Sequence, residues 1–137
     1  MPVTDDATLR EILRTDRRLA VLGIKEGAGE DAFRVPAYMQ SHGYELLGVN
    51  PKLQQVLGAP CVASLADLPG PVDLIDVFRA APHIPAHTDE ILALPQRPRT
   101  VWLQLGIRDD ESAARLEAAG IRVVQDRCIL VEHRRLL

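Results

Sequence analysis

Short apolar runs that alternate with polar segments containing glycine or proline constrain the fold of this chain more than any other feature. The run at residues 19–24 is the first, and residues 72–78 form a later, largely apolar one. Such a run is typical of a strand that is buried on both faces of a parallel sheet. The segments between the runs have helical periodicity, so the pattern predicts consecutive βαβ units with right-handed crossovers.

The predicted architecture is an α/β, doubly wound, mostly parallel six-stranded sheet of the Rossmann type with helices on both faces. The strands are predicted at residues 19–24, 45–49, 60–62, 72–78, 100–105 and 122–125, in the spatial order 3-2-1-4-5-6. The helices are predicted at residues 4–13, 32–42, 82–94 and 109–119, with a helical turn at 65–68 and a helical C-terminal segment. We expect one domain over residues 1–137, in which Thr4 caps an N-terminal helix, within residues 1–16, that packs on the core.

Charge and composition disfavour several classes of partner. The net charge is −3 and the estimated isoelectric point is 5.8, whereas a duplex-binding domain normally carries a basic face, so we expect no nucleic acid partner. No apolar run approaches the roughly 18 residues of a membrane span, and no signal peptide is expected after the acidic N-terminus. The two cysteines, Cys61 and Cys128, show no metal-site spacing and predict reduced thiols in a cytoplasmic protein.

The loop after the first strand is the first candidate for ligand binding, because doubly wound sheets bind ligands at the carboxyl ends of their strands. It begins with Gly23, Ile24 and Lys25, and two further glycines follow before the next helix. Glycines let backbone N–H groups approach a phosphate, and the helix start together with Arg34 would favour an anion. An ordinary surface turn with an exposed arginine explains the same residues equally well.

The second strand ends in Asn50, Pro51 and Lys52, and Asn50 is the only asparagine in the chain. A site for NAD usually has an aspartate or glutamate here, which binds the ribose hydroxyls. A neutral amide beside a lysine instead tolerates a phosphate on the ribose, as in coenzyme A or NADP. The alternative is an Asx turn, which asparagine before proline commonly opens.

The remaining strand ends supply further candidates at the same edge of the sheet. These are Phe78 and Arg79 after the fourth strand, Leu105 and Gly106 after the fifth, and Arg127 and Cys128 after the sixth. Phe78 is a surface for adenine or a core residue, and Arg79 is a phosphate ligand or a solvated side chain. Cys128 beside Arg127 is either a thiol of lowered pKa or a buried structural cysteine.

No set of residues in the sequence predicts a catalytic site. His83 and His87 have the spacing of two metal ligands on a helix, but no third ligand accompanies them, so we expect a solvated helix face. His42 is expected at a helix C-terminus, where the helix dipole favours its charge. None of the serines lies in a G-x-S-x-G motif.

Several of these stretches together resemble the CoA-binding domain family, small stand-alone Rossmann proteins similar to the nucleotide-binding part of the succinyl-CoA synthetase α subunit. The matching stretches are residues 20–23, 33–39, 43–44, 49–51, 72–79, 101–107, 124–129 and 132–133. The match extends over nearly the whole chain from Arg17 onward, in the family's order and spacing. One departure is the first loop, which is often rich in serine and proline in the family but carries Glu26, Glu30 and Asp31 here.

The resemblance implies that coenzyme A, free or as acyl-CoA, lies across the carboxyl ends of the strands. It implies that the first-strand loop and Arg34 lie near phosphates, and that Asn50, Pro51 and Lys52 lie by the adenosine. It further implies that Phe78, Arg79 and Pro82 flank the nucleotide and that Leu105 and Gly106 line the far side.

Three functional hypotheses follow. The first is a non-catalytic module that binds CoA or a related nucleotide. The second is a nucleotide-responsive sensor whose partner protein reads the bound state, and the third is an NADP- or acyl-CoA-dependent enzyme that uses Cys128. A homodimer is compatible with each of them, and the sequence shows no apolar stripe that decides the oligomeric state.

Overall fold

A seven-stranded sheet forms the centre of the computed structural model, which describes residues 1–137. The strands are β1 (Arg18–Leu22), β2 (Glu45–Val49), β3 (Gln55–Val56), β4 (Ala59–Val62), β5 (Leu74–Val77), β6 (Thr100–Leu103) and β7 (Arg122–Val124). Their order across the sheet is β3-β4-β2-β1-β5-β6-β7. All strands except β3 pair in parallel, and these six follow the predicted order 3-2-1-4-5-6. The prediction of a doubly wound α/β fold is confirmed.

The predicted number of strands is wrong by one, because β3 adds an antiparallel edge to β4. The two strands are joined by Leu57 and Gly58, which both have positive φ, 53° and 71°. Two-residue turns of this kind usually contain asparagine, aspartate or glycine at the first position, so Leu57 concealed the hairpin in the sequence. The side-chain amide of Gln40 donates to the Leu57 carbonyl at 2.9 Å and holds the turn against the neighbouring helix.

Five α-helices cover both faces of the sheet, as predicted. They are α1 (Asp6–Thr15), α2 (Asp31–Ser41), α3 (Ile84–Leu92), α4 (Asp110–Ala118) and α5 (Ile129–Leu136), with short 3-10 turns at Leu65–Asp67 and Ala81–His83. The N-terminal cap of α1 is Asp5 rather than the predicted Thr4, since the Asp5 carboxylate accepts the Thr8 N–H at 2.9 Å. None of the helices combines the length and the apolar character needed to cross a bilayer.

Two apolar layers enclose the sheet. Helices α1, α2 and α5 pack on one face with Trp102, and helices α3 and α4 pack on the other face with Ile75. Burial on both faces explains why the strands read as apolar runs rather than as alternating patterns. The α1 residues Leu9, Ile12 and Leu13 lie inside the first layer, so the N-terminal helix is part of the core.

The chain reverses its direction of winding between β1 and β5, which are neighbours in the sheet. After β1 it enters α2 on one face, and after β5 it enters α3 on the other face. The two loops therefore diverge and leave a crevice at the carboxyl ends of the strands, where ligands bind in folds of this type.

Candidate functional site

Gly23 and Phe78 bring the two loops of this crevice into contact. Gly23 has a φ of +86°, and a Cβ atom at this position would lie 2.6 Å from the Phe78 carbonyl oxygen. Any other residue would combine a left-handed backbone with a clash against main chain. Glycine is therefore required here for the approach of β1 to β5, whereas its own N–H is bonded to Val49 in the sheet.

Pro36 in the middle of α2 shapes the first-strand loop. A proline has no N–H, so the carbonyl of Ala32 lacks its usual partner within the helix. That carbonyl instead accepts the N–H of Lys25 at 3.2 Å, which ties the loop to the helix. The N–H groups of Ile24 and Glu26 on either side make no hydrogen bond within the protein and remain available to a ligand.

The larger cavity of the crevice has a volume of about 900 Å³ and is here called the first cavity. It is built from the loops after β1, β2, β4 and β5 and from the first turns of α3. Its lining includes seven of the predicted site residues, namely Gly23, Lys25, Asn50, Pro51, Lys52, Phe78 and Arg79. The volume lies within the range of roughly 300–1,000 Å³ that small-molecule and cofactor sites occupy.

Asn50 joins the loops after β1 and β2. Its side-chain amide donates to the Ile24 carbonyl at 2.7 Å, and its Oδ1 accepts the N–H of Lys52 at 2.8 Å. The second bond closes an Asx turn, which was one of the two interpretations of this residue. The Lys52 side chain forms no ion pair and lines the first cavity. Asn50 thus shapes the cavity wall and leaves Lys52 as a free cation.

Arg79 is oriented by a hydrogen-bonded series of side chains that continues through His87 to Glu90. Its Nε donates to Nε2 of His87 at 3.2 Å, and Nδ1 of His87 lies 2.6 Å from the Glu90 carboxylate. Because Nε2 accepts a hydrogen bond, the proton of neutral His87 is on Nδ1 and is donated to Glu90. The two terminal nitrogens of the Arg79 guanidinium are left for an anion.

A second cavity of about 410 Å³ lies beside the first and is here called the second cavity. It is lined by α2, by the loops after β5 and β6, and by α5, and it contains the predicted residues Leu105 and Cys128. Lys25, Phe78, Arg79 and Ala80 line both cavities. The two cavities therefore form one extended site with a shared boundary.

The acidic residues of the first loop are largely neutralised by the cations predicted to bind phosphate. Glu30 lies 3.6 Å from Nζ of Lys25, and Asp31 forms an ion pair with Arg34 one turn along α2. Arg34 lines neither cavity. Glu26 forms no ion pair and lines the first cavity, so it is the one loop carboxylate that faces a bound anion there.

Four other predicted site residues do not line either cavity. The Ile24 side chain is buried in the core, and Pro82 is exposed in the 3-10 turn. The N–H of Gly106 is bonded to Asp126 at 2.6 Å, and Arg127 forms an ion pair with Glu132 at 2.6 Å. Of these four residues, only Ile24 offers an unbonded backbone N–H group.

Sequence reasoning missed several residues of the first cavity, above all His83, His87 and Glu90. The expectation of a solvated helix face is wrong for His87, whose side chain is only 17% exposed. Because α3 starts directly after the β5 loop, its first turns face the crevice. That position after a strand end was the signal that could have identified them.

Asp76 is a further residue that the sequence pattern did not single out. It lies on β5 two residues before Phe78, its side chain is fully buried, and neither carboxylate oxygen has a hydrogen-bond partner. Burial raises the pKa of Asp76 well above its ordinary value, because desolvation favours the neutral form. An unpaired buried acid of this kind is unusual in a strand interior.

Comparison with known proteins gives consistent results. The profile of the family described as "CoA binding domain" matches residues 17–134. The Bacillus subtilis (strain 168) protein YneT is 34% identical over 127 residues, which is 93% of each chain. The structure of cell-free ID.343 from Thermus thermophilus is 46% identical and has a TM-score of 0.92. That match covers 98% of this chain and 100% of the Thermus chain.

A hypothetical protein from Pyrococcus horikoshii OT3 is 30% identical, with a TM-score of 0.91 and coverage of 99% of this chain and 96% of that chain. The matches extend over almost the full length of these stand-alone proteins. They agree with the resemblance that the strand-end motifs indicated. This chain therefore belongs to the CoA binding domain family.

Proposed function

We propose that this protein binds coenzyme A, with the nucleotide in the first cavity, and acts as a binding module rather than as a catalyst. The observation that carries the proposal is the end of β2, where Asn50 stands in place of a carboxylate and Lys52 is a free cation in the cavity. A carboxylate there would repel a phosphorylated ribose, whereas a lysine attracts it.

The diphosphate of coenzyme A has its partners in the middle of the site. The guanidinium of Arg79 has two free nitrogens at the boundary of the two cavities. The N–H groups of Ile24 and Glu26, in the loop after β1, make no hydrogen bond within the protein. Charged donors and backbone N–H groups are the usual phosphate ligands in nucleotide sites.

The bonding of His87 supports binding rather than acid–base catalysis. A histidine beside a carboxylate would serve as a general base if its second nitrogen were free to take a proton. Here Nε2 already accepts the Nε–H of Arg79. His87 and Glu90 therefore orient a cation instead of activating a substrate.

Isothermal titration calorimetry with CoA, dephospho-CoA, NADP and ATP tests the proposal. We expect CoA to bind most tightly, and dephospho-CoA, which lacks the ribose phosphate, to bind about tenfold more weakly because one charge-assisted contact is lost. The variant Lys52→Met should remove this difference. NADP is the competing ligand, since it also carries a ribose phosphate.

Two arginine variants form a matched pair in the same titration. Arg79→Ala should weaken CoA binding by at least tenfold, whereas Arg34→Ala should leave it within twofold, because Arg34 lines neither cavity. Absence of binding by all four nucleotides, or tighter binding of NADP than of CoA, would refute coenzyme A as the ligand.

A further inference from the structure

The second cavity carries the unusual apolar surface of this protein. Four large hydrophobic side chains are exposed, and two of them are the chain ends Met1 and Leu137. The other two are Leu105, which is 70% exposed, and Val131, which is 53% exposed. Both line the second cavity, so the exposed apolar surface within the fold is concentrated at this one opening.

The interior of the second cavity is also mainly apolar. Its walls include Ala32 and Val35 from α2, Ile107 from the loop after β6, and Cys128 at the start of α5. The carboxylates at its edge, Glu30 and Asp31, are paired with Lys25 and Arg34. An uncharged, apolar group is the chemistry that this opening favours.

The site changes character along its length. The first cavity holds the free ammonium of Lys52, the boundary holds Arg79, and the far opening holds Leu105 and Val131. A ligand that fits this order is anionic at one end and apolar at the other. A CoA thioester has its phosphates at one end and its acyl chain at the other.

We propose that the second cavity receives the acyl group of an acyl-CoA, with Leu105 and Val131 covering the acyl chain. This inference rests on the proposed function, because it requires the nucleotide to occupy the first cavity. It assigns acyl-CoA, rather than free CoA, as the ligand class of the site.

Calorimetric titration with CoA, acetyl-CoA and butyryl-CoA tests the inference. Burial of one methylene strengthens binding by about fourfold, so the two extra methylenes of butyryl-CoA should give about fifteenfold tighter binding than acetyl-CoA. Leu105→Ser and Val131→Ser should each reduce that ratio to about threefold or less, and Val131→Ser should leave the affinity for free CoA within twofold. Leu137→Ser, an equally conservative change at an exposed position outside the cavity, should leave the ratio unchanged.

The outcomes separate this inference from the proposed function. If CoA binds and butyryl-CoA binds no more tightly, the acyl site is refuted while the CoA site stands. If none of the three binds, the CoA site itself is refuted and the acyl site with it. If sedimentation velocity shows a dimer that Leu105→Ser and Val131→Ser dissociate without changing the acyl-chain ratio, these residues form a subunit contact and the inference is overturned.

Discussion

Polar side chains are bonded within the protein at the amino end of the sheet, whereas several at the carboxyl end have no protein partner. At the amino end, the buried Asp16 accepts hydrogen bonds from Thr100 at 2.7 Å and from Arg122 at 3.3 Å. Asp73 there accepts the N–H groups of Arg17 and Arg18, each at 3.0 Å. These carboxylates have protein partners throughout, so this end holds neighbouring strands and loops together.

At the carboxyl end, donors are left without protein partners. Lys52 and Arg79 line the first cavity, where the Lys52 ammonium has no ion-pair partner and the terminal nitrogens of Arg79 make no hydrogen bond. The Ile24 N–H is also unbonded. A group that is already bonded stabilises the fold but has little to offer a ligand, while an unbonded donor offers the reverse. The comparison predicts that substitutions at the amino end alter stability and that substitutions at the carboxyl end alter binding.

The largest expected effect is on stability, from Asp16→Ala. Removing a buried carboxylate that bonds Thr100 and Arg122 should lower the free energy of unfolding by about 3 kcal/mol, because its partners are left unpaired. Urea unfolding measures the change, and CoA affinity of the folded variant should be unaltered. Asp89→Ala, which removes an exposed ion pair with Arg115, is the control and should change stability by less than about 0.5 kcal/mol. Equal effects of the two variants would show that the bonded carboxylate at the amino end of the sheet does not contribute specially to stability.

Asp76→Asn tests a carboxyl group that is buried within β5, between the two ends of the sheet, and has no hydrogen-bond partner. Since burial raises the pKa of Asp76, the folded protein keeps a proton that the unfolded chain releases above about pH 4, and stability falls as pH rises. The variant cannot ionise, so it should gain on the order of 2 kcal/mol over the wild type at pH 8 and little at pH 4. Urea unfolding at several pH values provides the measurement. Parallel pH profiles of the two proteins would contradict the prediction.

His87→Leu should act on binding through Arg79. Loss of the acceptor frees the guanidinium to rotate, and CoA affinity should fall about fivefold, which corresponds to one hydrogen bond of about 1 kcal/mol. His87→Gln retains an acceptor and should restore most of the affinity. In an Arg79→Ala background His87→Leu should have no further effect on titration. An equal loss in both backgrounds would show that His87 does not act through Arg79.

The smallest expected effect comes from Glu26→Gln. This carboxylate lines the first cavity without an ion-pair partner, so its removal should tighten CoA binding about twofold at low salt. The gain should disappear in 1 M salt, where screening is strong. Glu111→Gln on α4 changes the net charge equally at an exposed position away from the cavities and should have no effect on affinity. The same gain from both variants would show a general charge effect instead.

The sequence by itself determined the fold class, the order of the parallel strands and the edge of the sheet that carries the site. Apolar runs specify strands buried on both faces, and the chain order of strands and helices leaves few ways to wind them. The motifs at the strand ends also indicated the family. Gly23, Lys25, Asn50, Lys52 and Arg79 were therefore placed at the crevice from sequence position alone.

Only the tertiary structure decided which of these side chains line the cavities. Several of the contacts that shape the site join separate segments of the chain. The Lys25 N–H donates to the Ala32 carbonyl that Pro36 leaves unbonded, and Arg79 donates to His87. The hairpin turn at Leu57 likewise forms only in the folded protein. Arg34 pairs with Asp31 on its own helix and lines neither cavity. Sequence position assigns a residue to an edge of the sheet, but the direction of its side chain depends on the partners that packing brings within hydrogen-bond distance.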